Sequence, residues 1–219
     1  MEILAADPRV EVSQRAFDTH AKQWNYGLEQ VRTGWVLCLD ADYVITPAFV
    51  AELRDRLPQA QDKQIKAFAA SFRYLVAGRP LSGTVYPAKV VMFQTNSGRY
   101  RDDGHTQLAV INGAIHTLRS PIDHDDRKSL RRWLWAQERY HWLEAEKLLQ
   151  SPIVELGFID RLRKTTPLAP LFAVLYCLLL KRGLLDGRAG LFYAMQRGYA
   201  ELQIWLMLQE LKSLQVKAS

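Results

Sequence analysis

Trp35-Val36-Leu37-Cys38-Leu39 is an unbroken apolar run that opens after Gly34 and ends on Asp40-Ala41-Asp42. A run of this kind, bounded by a turn residue and by acidic residues, predicts a central strand of a parallel sheet covered on both faces. On either side the apolar period becomes helical. Trp24, Leu28 and Val31 predict a helix that stops toward Gly34. Thr46 as N-cap, Pro47 at the first helical position and Val50, Leu53 and Leu57 on one face predict a second helix, ended by Pro58. Beyond it, Phe68, Ala70, Phe72 and Tyr74 alternate with Ala69, Ser71, Arg73 and Leu75, predicting a strand that turns at Gly78-Arg79-Pro80. Lys89 to Gln94 reads as another strand. Leu108–Ile111 and Ala114–Leu118 flank Asn112-Gly113, a strong hairpin signal. The order of elements is that of an α/β domain with a mixed sheet.

The last third of the chain has a different pattern. Leu168 to Leu180 carries no charge, and Leu191, Met195, Tyr199, Leu202 and Leu206 form a stripe opposite Gln196, Gln203 and Glu210, predicting a helix after Gly187 to Gly190. The net charge is +6, and it is unevenly placed: from Arg161 to Ala200 seven basic residues face one acidic residue, Asp186. The apolar run is too short to cross a bilayer, which needs about 20 residues. An interfacial segment with basic flanks on anionic headgroups fits better, against the plainer alternative of two helices packed on the core. The expected organisation is a domain over 1–150 and a helical appendage over 151–219. Cys38 and Cys177 both sit in apolar runs, as inert thiols of a reducing compartment would. A signal peptide, a phosphate-binding Gly-rich loop and a dinucleotide fingerprint are not seen, and the positive charge has no nucleic-acid motif behind it.

Asp40 and Asp42 stand just beyond the carboxyl end of the predicted strand, where ligands of open α/β sheets bind. Two carboxylates this close repel unless a cation joins them, and hard divalent ions shared with substrate phosphates suit the position. Asn25-Tyr26-Gly27-Leu28 followed by Gly34 through Tyr43 resembles the middle of a family 2 glycosyltransferase. The resemblance continues through Tyr86-Pro87, Asp103-Gly104-His105-Thr106-Gln107 and His124-Asp125-Asp126-Arg127-Lys128, and is closest to the bacterial branch of lipopolysaccharide-core and surface-polysaccharide enzymes. It implies a GT-A, Rossmann-like fold with helices on a mixed sheet, and an Asp-x-Asp motif holding Mn²⁺ or Mg²⁺ on the diphosphate of a sugar nucleotide. The resemblance departs at the start. Met1–Asp7 is similar to the interior of a later helix and Val10-Glu11-Val12 to the short strand after it, so at least one strand and crossover unit of the nucleotide-binding part is expected to be absent.

The resemblance also assigns roles. It makes Asp103, with Asp102 as alternate, the base that takes the acceptor hydroxyl proton in an inverting transfer, a task suited to a carboxylate. A catalytically idle acidic turn is the bland alternative. His105 and Gln107 fall on the acceptor side, Asn25 on the donor side, and His124 in the place of an added metal ligand. Arg127, Lys128, Arg131 and Arg132 load the start of a helix with the charge its dipole disfavours, which a bound phosphate would relieve. Arg127 and Lys128 are the diphosphate candidates. The expectation is metal-assisted sugar transfer to a lipid-linked or polysaccharide acceptor at the cytoplasmic face of the inner membrane, with an anionic membrane surface as partner. Two rivals remain open: a haloacid-dehalogenase-like phosphatase with Asp40 as nucleophile, suggested by Asp40-Ala41-Asp42-Tyr43-Val44, and a non-catalytic membrane-surface protein.

Overall fold

The computed structural model describes residues 6–103 and 106–218, with side chains as far as residue 215. Helix α1 (His20–Gln30) leads into β1 (Trp35–Leu37), the acidic turn and β2 (Tyr43–Val44). Helix α2 (Pro47–Arg56) begins as predicted: Thr46 Oγ1 accepts from the Phe49 amide, and Pro47 occupies the first turn, where an N–H is not needed. Strands β3 (Ile65–Ala70), β4 (Phe72–Val76), β5 (Arg79–Pro80), β6 (Lys89–Gln94), β7 (Gly98–Asp103), β8 (Thr106–Ile111), β9 (Ala114–Thr117) and β10 (Ile122–His124) follow. The helices α3 (Leu130–Gln150), α4 (Phe158–Thr165), α5 (Ala169–Leu175) and α6 (Gly187–Ala218) complete the chain.

The strands form one sheet in the order β1-β6-β3-β9, a second in the order β2-β10-β4-β5, and the ribbon β7-β8. The alternating run from Phe68 to Tyr74 is therefore two strands. It breaks at Ser71, whose carbonyl accepts from the Ile122 amide, and passes from the first sheet to the second. Phe68 and Ala70 enter a cluster with Phe49 and Val91 beneath α2, while Ala67 joins Phe93, Leu28 and Tyr100 beneath α1. β3 is thus buried on both sides.

Three expectations need correction. β1 has both faces covered, by Trp35, Leu37 and Leu39 on the α2 side and Val36 and Cys38 on the α1 side. Yet it is a sheet edge and not a central strand, and it runs antiparallel to β6, its one sheet neighbour among the described residues. Apolar faces report what lies above and below a strand, whereas its hydrogen-bonded neighbours leave no trace in that pattern. Asn112-Gly113 does not close a hairpin. Gly113, at φ +136°, turns the chain out of the ribbon so that β9 lies parallel to β3. A two-residue hairpin turn is found instead between β4 and β5, where Ala77 (φ 51°) and Gly78 (φ 75°) both adopt the positive φ that such a turn requires. Val10–Val12 is exposed and forms no strand. The helix expected over Met1–Asp7 falls mostly outside the described residues.

The C-terminal helices pack on the rest of the fold. Ile204 and Leu208 of α6 share a cluster with Ala145 and Leu148 of α3, and Tyr193 and Ala194 share another with Tyr74 of β4 and Cys177. The stripe Leu191, Met195, Tyr199, Leu202, Leu206 faces outward, each residue 42–57% exposed. The buried face of α6 is the adjacent one, Tyr193, Ala194, Ala200, Ile204 and Leu208. Small residues set the spacing: a Cβ on Gly198 would fall 2.5 Å from a methyl of Val174 in α5. Three of the seven basic residues are held internally. Arg163 bonds Glu201 (2.7 Å) and Asp160 (2.9 Å), Arg161 bonds the Leu156 carbonyl, and Lys164 bonds the Ser151 carbonyl. Among the described residues no helix is long and apolar enough to cross a membrane. Both cysteines are free, in separate clusters, and burial pushes both thiols up.

Because Leu208 is fully buried between α3 and α6, Leu208→Ala is expected to cost about 2–5 kcal/mol. Urea unfolding measures it. An unchanged midpoint would mean that α6 does not contribute to the cooperative core.

Candidate active site

The chain leaves β1 at Leu37 and reaches Asp42 just before β2, which pairs antiparallel with β10 so that His124 lies opposite Tyr43. One residue further along, the Asp125 amide donates to the Asp42 carbonyl (2.9 Å) and prolongs the pairing into the acidic segments. Side chains two apart on extended backbone point the same way. Asp42, His124 and Asp126 consequently converge, with ligand atoms all within 4.8 Å of one another.

His124 is 7% exposed, and its ring meets those of Tyr43, Tyr74 and Tyr86 edge-on at 5.0–5.3 Å. This three-tyrosine cage holds Nε2 at 3.3 Å from Asp42 Oδ2. The hydrogen bond with His124 holds the Asp42 carboxyl below its ordinary range, with Lys128 adding to the effect. Desolvation raises the phenols of Tyr43, Tyr74 and Tyr86, so the cage stays neutral. The Lys128 ammonium stands 3.2 Å from Asp126 Oδ1 and 3.6 Å from Asp42 Oδ2. Even so, Asp42 Oδ1 and His124 Nδ1 are buried without a hydrogen-bond partner. Unused electron pairs beside two carboxylates and an imidazole fit a divalent cation, and the mixed nitrogen and oxygen set suits Mn²⁺ better than Mg²⁺.

The cluster opens into a cavity of about 980 Å³ that Asp40, Tyr86, Gln107, Arg132, Tyr140 and Arg197 also line. Arg197 reaches it from α6, its guanidinium 5.7 Å from the Tyr193 ring centre and its buried Nε unpartnered. Tyr193 is itself tied down, accepting from the Val85 amide (3.1 Å), and burial pushes its phenol up to about 12.

Of the residues singled out from the sequence, Asp42 and His124 come together and Gln107, Arg127 and Lys128 line the same cavity. Asp40 lines it too but is exposed and stands outside the ligand cluster, where Asp126 takes its place. The two-residue spacing of His124 and Asp126 after a strand was the signal for Asp126. Asn25 is otherwise engaged: its side-chain amide donates to the Tyr100 carbonyl (2.8 Å) and accepts from the Tyr100 amide (2.9 Å), clamping α1 to β7. Asp102 accepts from the Ala21 amide (3.0 Å) and so caps the start of α1. Both groups are engaged by backbone, and neither is among the residues that line the cavity. Asp103 is exposed at the end of β7, opposite Thr106, and is not among the residues that line the cavity. His105 lies outside the described residues. Arg197 had no local signature, since only the packing of α6 brings it to the cavity.

Residues 2–96 match the family model for Glycosyl transferase family 2. The match spans Asp40 and Asp42, and it supports sugar-transfer activity in general terms. The mixed α/β architecture, with sheets flanked by helices and a long C-terminal helix, is consistent with the GT-A-like fold that the resemblance implied. A divalent metal is common in family 2, and the Asp42, His124, Asp126 cluster has the donors for one. No curated protein matches the chain. His124, Asp126 and Arg197 all lie beyond the span that family 2 matches.

Calorimetry with Mn²⁺ is expected to give one site. Asp42→Asn and Asp126→Asn should each weaken it roughly tenfold or more, because affinity follows the number of charged ligands. Asp40→Asn should change it little; a larger effect there than at Asp126 would return the site to the Asp-x-Asp pair.

Proposed function

We propose that this protein is a metal-assisted, inverting glycosyltransferase that moves a sugar from a nucleotide-sugar donor to a lipid-linked or polysaccharide acceptor at the cytoplasmic face of a bacterial inner membrane. The observation that carries the reading is the convergence of Asp42, His124 and Asp126 in a cavity ringed by cationic side chains, in a chain whose residues 2–96 match family 2. Asp42, His124 and Asp126 would hold the metal, which when bound supplies positive charge to the departing nucleoside diphosphate. Lys128, Arg132 and Arg197 offer charge-assisted hydrogen bonds to the same phosphates. Lys128 has a double use: it offsets part of the charge of the two carboxylates in the free protein and is free to turn to a phosphate once a cation replaces it.

The base in this reading is Asp103, at the end of the ribbon next to Thr106 and Gln107, which line the cavity. Asp103→Asn is expected to lower transfer from a sugar nucleotide by roughly 10²-fold or more, the scale of general-base catalysis. Donor affinity should hardly change, which separates chemistry from binding. Full activity in Asp103→Asn together with its loss in Asp40→Asn would move the base to Asp40.

Membrane association is the second part of the proposal. Leu179, Leu180, Leu184 and Leu185 are 59–77% exposed beside Lys181, Arg182 and Arg188, whereas Arg161, Arg163 and Lys164 are held internally. Three cations at about 1 kcal/mol each give a modest electrostatic share, with the leucines supplying the rest. Co-sedimentation with anionic vesicles is expected to fall as salt rises and to fall further in Leu180→Ser/Leu185→Ser. Binding to neutral vesicles that ignores both changes would remove this part of the reading.

A further inference from the structure

A second cleft, of about 910 Å³, lies between the β4–β5 hairpin, the start of α3 and the start of α6. It shares Tyr74, Asp126, Lys128 and Trp133 with the first cavity, so the two adjoin at the acidic cluster. Its volume is in the range of small-molecule sites. Val76, Leu130, Trp133 and Phe192 give it an apolar wall, on which Leu130 (49%) and Phe192 (43%) remain open.

The charges in this cleft do not cancel. Asp125 is paired with Arg127 (2.7 Å) and Asp126 with Lys128 (3.2 Å). Arg79, at the hairpin, and Arg188, at the first turn of α6, have no carboxylate partner among the described residues. Two guanidinium groups without counter-ions, beside an apolar wall, match a ligand with an anionic head and a hydrocarbon body. Guanidinium binds phosphate oxygens two at a time, and Leu184, Leu185 and Leu191, which flank Arg188 in the chain, are exposed. A neutral polysaccharide would leave both arginines without an anion and the wall without apolar contact.

We infer that this second cleft is the acceptor subsite and that it takes a phosphate-bearing amphiphile, the phosphate between Arg79 and Arg188 and the apolar body along Trp133 and Phe192. The name acceptor rests on the transferase reading above; the binding site does not. Both arginines are exposed, so substitutions there leave the core untouched.

The test titrates the full chain by calorimetry with dodecyl phosphate below its micellar concentration, and separately with inorganic phosphate and dodecyl maltoside. Dodecyl phosphate is expected to bind saturably at one site, the other two at least roughly tenfold more weakly. Arg79→Glu and Arg188→Glu should each weaken dodecyl phosphate to a similar degree, and Arg188→Lys less than Arg188→Glu. Equal binding of inorganic phosphate, equal binding of dodecyl maltoside, or unchanged binding in both Glu variants would each overturn the inference. So would loss of dodecyl phosphate in Asp42→Asn with retention in Arg188→Glu, which assigns the probe to the first cavity. Binding of Mn²⁺ with a nucleoside diphosphate is measured alongside. If that fails while dodecyl phosphate behaves as expected, the transferase reading falls and the amphiphile site stands; the reverse result removes the amphiphile site alone.

Discussion

Two carboxylates and an imidazole brought within 4.8 Å of one another need positive charge, and much of this structure is arranged around that need. The backbone creates the problem, because the β2–β10 pairing and the bond from the Asp125 amide to the Asp42 carbonyl bring the segments that carry Asp42 and Asp126 together. The tyrosine cage around His124 keeps water from the imidazole and fixes its ring. Lys128 relieves the repulsion only in part, since Asp42 Oδ1 and His124 Nδ1 stay buried and unpartnered. A buried polar atom without a partner is destabilising by itself, so its persistence points to something that binds there.

The C-terminal helices belong to the same arrangement. Tyr193 packs on Tyr74, which packs on His124, so α6 supports the cage from behind. Ser82 bonds the Asp186 carboxylate through both its amide (2.9 Å) and its hydroxyl (2.6 Å), fixing where α6 begins. The buried His141 donates to Gln203 (2.8 Å) and holds α3 to α6 further along. The result is that α6 carries Arg197 to one side of the acidic cluster and Arg188 to the other.

Helix α6 is apolar on two faces, and only one of them is covered. Tyr193, Ala194, Ile204 and Leu208 satisfy the core, while Leu191, Met195, Leu202 and Leu206 remain open together with the leucines between α5 and α6. A contiguous exposed apolar surface on a folded chain marks an interaction site. Arg188 and Phe192 of the second cleft stand on the same helix as Leu191 and Met195, which joins the two proposals: a helix that rests on lipid would present an amphiphile to the cleft it lines.

Local chemistry made some features legible from the residues alone. The caps of α2, the covered faces of β1 and the placement of Asp42 beyond it follow from short-range rules, because caps, alternation and strand ends are properties of a few adjacent residues. The family resemblance was legible for the same reason. Partnership between distant segments was not. That β1 is an edge strand, that β9 pairs with β3 and not with β8, and that Asn25 and Asp102 serve the packing of α1 are outcomes of which strands meet, and many pairings satisfy the same hydrophobic pattern. The outward stripe of α6 is the clearest case: two apolar faces on one helix are equivalent in sequence, and only the position of α3 and β4 decided which of them to bury.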